Sequence, residues 1–396
     1  MSNKAKLAVG LDAGSSRTRC VVCTVEESRI RFLGAGEVES RGWAKSRIVD
    51  PQQISESIRL AAREAERNAK VSLEAVVVGM GGSVIAGNNA LGRLEMTRPR
   101  EIDQTDMSDA VERACRVQLD NDRTLLQVFP QDFTVDGRPG FRNPIGMKCT
   151  RLDANVHVVT TSTQDHQSLV AAIHQAHLAV EDTILESMAA AYASILPDHR
   201  TKGVALIDIG AHSTEVVIYD GEAMVEAFSL QVNADYFTRD VAYGFAIGFN
   251  EAVKIKEEYG CAILGLTADN TLIEIPSSEG RPQREASRRQ LNDILEARAE
   301  ELFLYVRNEL KRLGMERSLM EGVVLAGGGA MLNGMCDMAE RVLNCQAHNG
   351  LAIGIQDWPE ELDVPSWTTA AGLAMYSGRL KQHKDPRRKP PGFLNW

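Results

Sequence analysis

Two short stretches constrain this chain more than anything else in it. Residues 7–25 read LAVGLDAGSSRTRCVVCTV, and residues 206–220 read LIDIGAHSTEVVIYD. Each is an apolar run ending in an aspartate, then a loop of small residues, then a second β-rich run. Apolar, β-branched runs around a glycine-bearing turn predict a β-hairpin. A further strand-like segment follows each hairpin: RIRFLGAGEVES in the first half and EAMVEAFSLQV in the second. Self-similarity of this kind implies a duplicated architecture. The chain is therefore expected to form two lobes that open on the same three-strand plan, with Asp12 and Asp208 at matching places.

The residue types in the turns suit phosphate. Backbone N–H groups of such turns form anion-binding concavities, and Gly14 and Gly210 let the backbone come close. Ser15, Ser16 and Ser213 add short hydroxyl donors. Asp12 and Asp208 repel phosphate themselves, but they can hold Mg²⁺ through its waters, because that small cation keeps its hydration shell. Asp and Gly are common in any turn; their recurrence at matching places in both halves argues for a clamp. One hairpin per lobe places a triphosphate in the cleft between them. AGGGAML (326–332) sets Gly327, Gly328, Gly329 and Ala330 between a buried strand and an expected helix start, where bare backbone can meet a flat adenosine group.

Length and charge narrow the class. A chain of 396 residues is too long for one core. A net charge of -10 argues against a general nucleic-acid binder, which needs a basic surface. No apolar run approaches the ~20 residues of a membrane span, and the N-terminus enters a strand at once, so a cytoplasmic protein is expected. The 7 cysteines suit a reducing compartment. Cys20 and Cys23 form a CxxC, but within a strand residues three apart face opposite ways; a structural role is expected. His166, His174 and His177 lack a carboxylate or cysteine to complete a metal site.

Along the chain, Asp50 is a natural N-cap and Pro51 suits the first turn of a helix over 50–70, with Ile54, Ile58, Ala61, Ala62 and Ala65 on one face. EAVVVGMGG (74–82) reads as a buried strand ending in glycines. Residues 83–162 change character: a charged helix around 105–119, turn-rich DGRPG and RNPIG, and strands around 124–135 and 151–162 read as an inserted α+β module. Helices are expected at 164–178 and 185–196, with a linker at 197–203. In the second half, helices at about 236–259 precede an irregular, strand-like stretch at 261–284. A long helix starts near Ser287, buries Leu291, Ile294, Leu295, Leu302, Val306, Leu310 and Leu313, and ends at Gly314. A last helix is expected at 367–380, and HKDPRRKPPGFLNW is a basic, proline-broken tail.

Asp12-Ala13-Gly14-Ser15, Leu185-Glu186-Ser187 with Ala189 to Ala191, Asp208-Ile209-Gly210 and Gly327-Gly328-Gly329 together resemble the actin-like ATPase superfamily. That resemblance implies an α/β, two-lobed, ribonuclease H-like fold with a nucleotide cleft, binding ATP and Mg²⁺. It places Asp12 and Asp208 near the metal, Glu186 near the attacking water, and Lys256 and Glu257 near the nucleoside. Ala211, His212 and Ser213 complete the second phosphate loop. VFPQDFTVDGRPGFRNPIGMKCTRLDANVHVVTTS (128–162), FTRDVAYGFAIGFNEAVKIKEEYGCA (237–262) and EASRRQLNDILEARAEELFLYVRNELKRLG (285–314) are similar to the FtsA family of bacterial division proteins, and the likeness runs from residue 7 to about 380. It implies subdomain 1A over 1–82, 163–198 and 360–380, an inserted 1C over 83–162, 2A over 199–235 and 322–359, 2B over 236–321, and a tail over 381–396. It also implies a cytoskeletal adaptor that self-associates into filaments, tethers FtsZ at the inner face of the membrane and recruits later division proteins. Arg284, Arg288 and Arg289 would receive the acidic C-terminal peptide of FtsZ, since arginine's planar fork suits carboxylates.

The chain departs from that family in three places. Ala211 and His212 stand where two glycines are usual, with Ser213 for threonine. A Cβ there restricts close approach, so hydrolysis is expected to be weak at most; a protonated His212 could instead donate to phosphate. Asn233-Ala234-Asp235 replaces a customary pair of glycines. The tail offers Phe393, Leu394 and Trp396 with Arg387, Arg388 and Lys389, too few residues for an amphipathic helix, so membrane contact would be weak for each copy. Two other readings share the fold: a PilM-like pilus-assembly protein, and a sugar kinase, which lacks an evident catalytic aspartate beyond Asp12.

Overall fold

The computed structural model describes residues 6–26, 29–116, 119–221, 223–268, 271–275 and 283–382. Its two main sheets follow one plan. In the first lobe, Lys6–Ala13 pairs antiparallel with Arg17–Glu26 and parallel with Ala75–Met80; Arg29–Glu39 and Ala179–Leu185 lie outside them. In the second, Val204–Ile209 pairs antiparallel with Thr214–Asp220 and parallel with Val323–Ala326; Ala223–Leu230 and Ala347–Asn349 lie outside. The order third–second–first–crossover–crossover is the same in both. The inner strands are continuous apolar runs because helices cover both faces. Cys20 and Cys23 are both fully buried, on opposite faces of their strand, in separate parts of the core.

Helix Pro51–Ala69 forms where its caps and stripe direct it. Asp50 Oδ1 accepts from the N–H of Gln52 and Gln53, each at 3.1 Å, and Ile54, Ile58, Ala61, Ala62 and Ala65 are buried against the sheet. Gly34 and Gly36 let it settle close: a Cβ at either would strike the helix backbone at Ala69 or Ala61. The long helix Arg288–Arg312 buries Leu291, Leu295, Leu302, Val306 and Leu310, while Ile294 and Leu313 are only partly covered. Gly314, with φ of 71°, takes the left-handed turn after it.

The insert carries its own four-stranded sheet, in the order Ala86–Glu101, Lys148–Ser162, Arg123–Val135, Arg138–Phe141, with helix Gln104–Cys115 on one face. It has a separate core around Leu94, Val111, Phe133 and Leu152. It belongs to the first lobe by sequence yet also reaches the second. Gln131 Nε2 donates to Val225 C=O at 3.0 Å, and Arg142 donates to Asp220 C=O at 3.3 Å.

Several expectations need correction. Strand Ala86–Glu101 was not foreseen, because it alternates polar residues with few apolar ones and buries little beyond Gly92 and Leu94. Strand Ala179–Leu185, short and acidic, was also missed. The 197–203 linker contains a helical turn, Pro197–Lys202. The triple glycine opens a 3₁₀ turn, Gly328–Met331, and the following α-helix begins only at Met335. Ile355–Gln356 pairs with Arg29–Glu39, so the chain is back on the first sheet before residue 360. The expected tail residues Phe393, Leu394 and Trp396 lie outside the described residues.

Candidate functional site

The two hairpins register identically. Asp12 sits opposite Arg19, and Asp208 opposite Glu215. Their turns are tight: Gly210 N–H donates to Ser213 C=O at 2.9 Å, and a Cβ on Gly14 would come within 2.8 Å of Arg17 C=O. Gly14, Ser15, His212 and Ser213 line one small cavity with Glu186, the first residue of helix Glu186–Ser194. Ser16 sits at the rim, exposed, its C=O accepting from Ser40 N–H at 2.9 Å. The structure thus brings Asp12, Gly14, Ser15, Glu186, Asp208, Gly210, Ala211, His212 and Ser213 to one cleft.

Four carboxyl groups gather at its floor: Asp12, Glu186, Asp208 and Glu215. Burial raises all four above the usual carboxylate range, and the Asp208 carboxylate adds to the rise of the other three. Asp12 is pushed up to about 7, first by burial, against which Arg19 pulls it down; Asp208 and Glu37 add to the rise. Glu215 is also pushed to about 7, by burial and then by Asp208, though Gly82 N–H donates to its Oε1 at 2.6 Å. Glu186 is raised furthest in direction, by burial, Glu215, Asp12 and Asp208 together. Asp208 is raised by burial, offset by Thr369 Oγ1, which donates to Oδ2 at 2.9 Å. Arg19 is the one cation among the causes of these shifts, and Glu37 at 2.6 Å and the Trp367 ring already hold it.

Sequence reasoning missed Glu215. It looked for function at the turn, and Glu215 lies in the returning strand. The signal was present: Glu215 occupies the place that Arg19 holds in the first hairpin. It also missed why the strand at 75–80 ends in glycines. A Cβ on Gly79 would collide with Glu186 Cγ, and one on Gly81 with the carboxylates of Glu186 and Glu215. The two glycines make room for the acids.

The two local departures, at 211–212 and 233–235, touch. Asn233 Nδ2 donates to His212 C=O at 2.8 Å, Ala234 N–H to Gly210 C=O at 3.0 Å, and Asp235 N–H to Ala211 C=O at 3.1 Å. The Asp235 carboxylate stands 3.4 Å from His212 Nε2. From the other lobe, Ser46 N–H donates to His212 Nδ1 at 3.3 Å and Ser46 Oγ to His212 C=O at 2.8 Å.

The remaining candidates sit at the margins. Gly327 has φ of 81°, and a Cβ there would strike Asp208; Gly329 is pressed on Ile209, whereas Gly328 faces open space. Ala330 is buried behind them. Lys256 Nζ donates to Thr238 Oγ1 at 3.0 Å, one turn beyond Asp235, and Glu257 beside it is exposed. Arg284 lies in strand Arg284–Ser287 and donates to Phe245 C=O; Arg288 Nε donates to Tyr259 C=O at 2.8 Å. Both cap the carbonyl ends of helices, where positive charge is favoured. Arg289 follows on the exposed side of the same helix start. His166 Nε2 lies 3.3 Å from Thr183 Oγ1, and no group of three His, Cys, Asp or Glu among the described residues is arranged to ligate a metal directly.

The sequence profile described as "Cell division protein FtsA" matches residues 205–372, and that of the SHS2 domain inserted in FtsA matches residues 82–160. A Pseudomonas aeruginosa protein named cell division protein FtsA is 32% identical, covering 95% of this chain and 90% of its own length. One of that name from Borreliella burgdorferi is 32% identical, covering 93% and 90%, and one from Escherichia coli 28%, covering 94% and 90%. Among solved structures, a PilM–PilN type IV pilus biogenesis complex matches with TM-score 0.69 at 17% identity, over 94% of this chain and 98% of that one. MreB5 of Spiroplasma citri bound to AMPPNP matches with TM-score 0.57 at 12% identity, over 95% and 97%. The structural likenesses establish the actin-like fold alone. The sequence relatives and the inserted module establish the family: this chain belongs to the FtsA cell-division proteins.

Proposed function

We propose that this chain is a nucleotide-dependent assembly protein that binds ATP with Mg²⁺ in the cleft, forms filaments, and tethers FtsZ at the inner face of the membrane during division. The observation that carries the nucleotide reading is the convergence of both hairpin turns on four buried carboxyl groups with Arg19 as their nearby cation. Such a cleft is short of positive charge, and a hydrated Mg²⁺ supplies it. With no three ligands arranged for direct coordination among the described residues, Asp12, Asp208, Glu186 and Glu215 would hold the ion through its waters. Bound Mg²⁺ would neutralise phosphate charge and draw these carboxyls back to their ionised forms.

The residues then divide the work. Gly14, Ser15, Ser16, Ala211 and Ser213 present N–H and hydroxyl donors to phosphate, while Gly210, its N–H bonded to Ser213 C=O, closes the second turn so that the backbone comes close. Gly328 faces the nucleoside, with Gly327, Gly329 and Ala330 fixing the turn, and Lys256 and Glu257 border it. Glu186 points at the water. Burial and the neighbouring carboxyls make its carboxylate form harder to reach, and positive charge entering the cleft would favour it as a base. Slow hydrolysis at most is expected. Calorimetry of the full chain with Mg·ATP tests the reading, and a silent titration removes ATP from it.

For partners, Arg284, Arg288 and Arg289 flank Ser287, whose strand partner Leu272 is exposed, and Tyr243, Phe249 and Leu266 are further exposed apolar residues of the same lobe. Acid-binding forks beside apolar side chains suit an acidic, hydrophobic peptide such as the FtsZ C-terminus. Arg289→Glu is expected to weaken co-sedimentation with FtsZ at least fivefold while leaving an FtsZ lacking its C-terminal peptide unaffected. Equal binding by both proteins would move the site elsewhere. Later division proteins would use other faces. No helix among the described residues is long and apolar enough to cross a membrane. Weak contact through Phe393, Leu394 and Trp396 would thus need many copies in a filament.

A further inference from the structure

The substitution of His212 for a glycine raises a question that nucleotide binding alone does not answer: what holds an imidazole at the mouth of a phosphate site? Its two ring nitrogens are both engaged, from opposite lobes. Nδ1 accepts from Ser46 N–H at 3.3 Å, which makes it the bare nitrogen; Nε2 therefore carries hydrogen and faces Asp235 Oδ2 at 3.4 Å. The main-chain oxygen of His212 is held twice more, by Ser46 Oγ and Asn233 Nδ2, both at 2.8 Å.

Ser46 is built for this reach. It sits at the tip of a two-strand ribbon, Trp43–Ala44 with Arg47–Ile48, whose turn residues Lys45 and Ser46 have φ of 49° and 60°. Two left-handed residues in a two-residue loop match a hairpin turn, at a cost for non-glycine side chains. The ribbon is fixed to the first lobe by Arg47, which bonds Asp165 at 3.1 Å. Ser46 is 7% exposed although it lies at a loop tip.

The helix behind the loop points the same way. The first N–H groups of helix Ala234–Phe245 would ordinarily be an anion site. Here those of Ala234 and Asp235 are consumed by the carbonyls of Gly210 and Ala211. The Asp235 carboxylate already brings negative charge to that helix end. The cavity left between the loops, lined by Ser15, Trp43, Ser46, Glu186 and His212, holds about 50 Å³. That is room for a few waters, against the several hundred Å³ of an ordinary ligand pocket.

We propose that Ser46, His212 and Asp235 form a latch across the phosphate end of the cleft, and that the nucleotide's phosphates bind by displacing it. This rests on the nucleotide reading of the same site. It adds that His212 sets how tightly phosphate is held, and that the closed form is the resting state. The latch acts on phosphate, so it discriminates ATP from adenosine.

Two measurements on the full chain test it. The first uses no nucleotide: hydrogen exchange of peptides spanning 43–48, in wild type, His212→Gly and Ser46→Gly. Removing the imidazole is expected to speed exchange there at least tenfold. Ser46→Gly, which suits the positive φ, keeps the N–H donor and loses the hydroxymethyl group, is expected to speed it a few-fold, and it serves if His212→Gly does not fold. The second titrates a fluorescent ATP analogue with Mg²⁺, and adenosine alone. His212→Gly is expected to tighten the ATP analogue about tenfold and leave adenosine unchanged. Unchanged exchange overturns the latch. So does equal tightening of both ligands, or equal ATP affinity in wild type and variant. If neither protein binds the ATP analogue, the nucleotide reading falls and the displacement proposal with it.

Discussion

At the scale of single residues, the cleft acids make the protein's stability depend on pH in a defined direction. Asp12 and Glu215 lose their protons near 7 in the fold, against roughly 4 for an unfolded carboxyl. The folded state therefore binds more protons than the unfolded state between those values. The stability these groups contribute is fully present below about 4 and is lost as pH rises through about 7. Without Mg²⁺ or nucleotide, Glu215→Gln is expected to stabilise the fold by on the order of 1–3 kcal/mol at pH 8 but hardly at pH 5, and to raise the melting temperature accordingly. Thermal melts at the two pH values check this, and parallel curves for wild type and variant would refute it. Much of this site was legible beforehand. Asp12, Asp208 and the turn glycines announce themselves because their types belong to tight phosphate-facing loops. Glu215 and Ser46 do not. An acid inside a strand and a serine in a surface ribbon carry no local signature, and only register and long-range packing bring them to the cleft.

At the scale of elements, glycines decide how closely the segments around the cleft approach. Gly372, in the last helix Thr368–Gln382, lies against helix Glu186–Ser194, and a Cβ there would strike Ala189 C=O. Gly10 faces the same helix at Ala370 and Ala374. Gly372→Ala must push apart the helix that starts at Glu186 and the one that carries Thr369 to Asp208. It is expected to cost about 3 kcal/mol, with a fall in denaturant midpoint and loss of nucleotide binding together; a midpoint within error of wild type would show that the helices can shift freely. Asp50→Ala removes an N-cap whose side chain bonds Gln52 and Gln53 of its own helix, and is expected to cost about 1 kcal/mol without changing nucleotide affinity. Helices with clear stripes and caps, such as Pro51–Ala69 and Arg288–Arg312, were legible because periodicity and capping are local. Ala86–Glu101 was not, since its pairing partners, rather than its own residues, make it a strand.

At the scale of the whole molecule, the lobes are joined by more than the chain that runs between them. Gly82 reaches Glu215, Thr369 reaches Asp208 and Ser46 reaches His212 inside the cleft, while Gln131 and Arg142 of the insert reach the second lobe outside it. Any opening of the cleft must therefore slide or break the insert's contacts with strand Ala223–Leu230. Arg142→Ala is expected to speed hydrogen exchange at the end of strand Thr214–Asp220, whose Asp220 C=O it holds, several-fold while moving the melting temperature by less than about 2 °C, the effect of a surface change of under 1 kcal/mol. Exchange identical to wild type would show that Arg142 does not hold the insert down. The duplicated lobes were legible in the two hairpins. The docking of the insert was not, because the carbonyls of Val225 and Asp220 and the Glu226 carboxylate beside His157 meet it only through long-range packing.

That same covering bears on how copies of the chain can adhere to one another. An uncovered sheet edge is a row of unpaired amides and carbonyls, open to strand addition and to irreversible aggregation. Here the outer strand of the first sheet is paired by Ile355–Gln356, and that of the second is overlaid by the insert. At those two edges, copies of the chain would meet through side chains rather than by extending a sheet. Contacts of that kind can be made and released as the cell's needs change, which an amyloid-like seam between subunits would not permit.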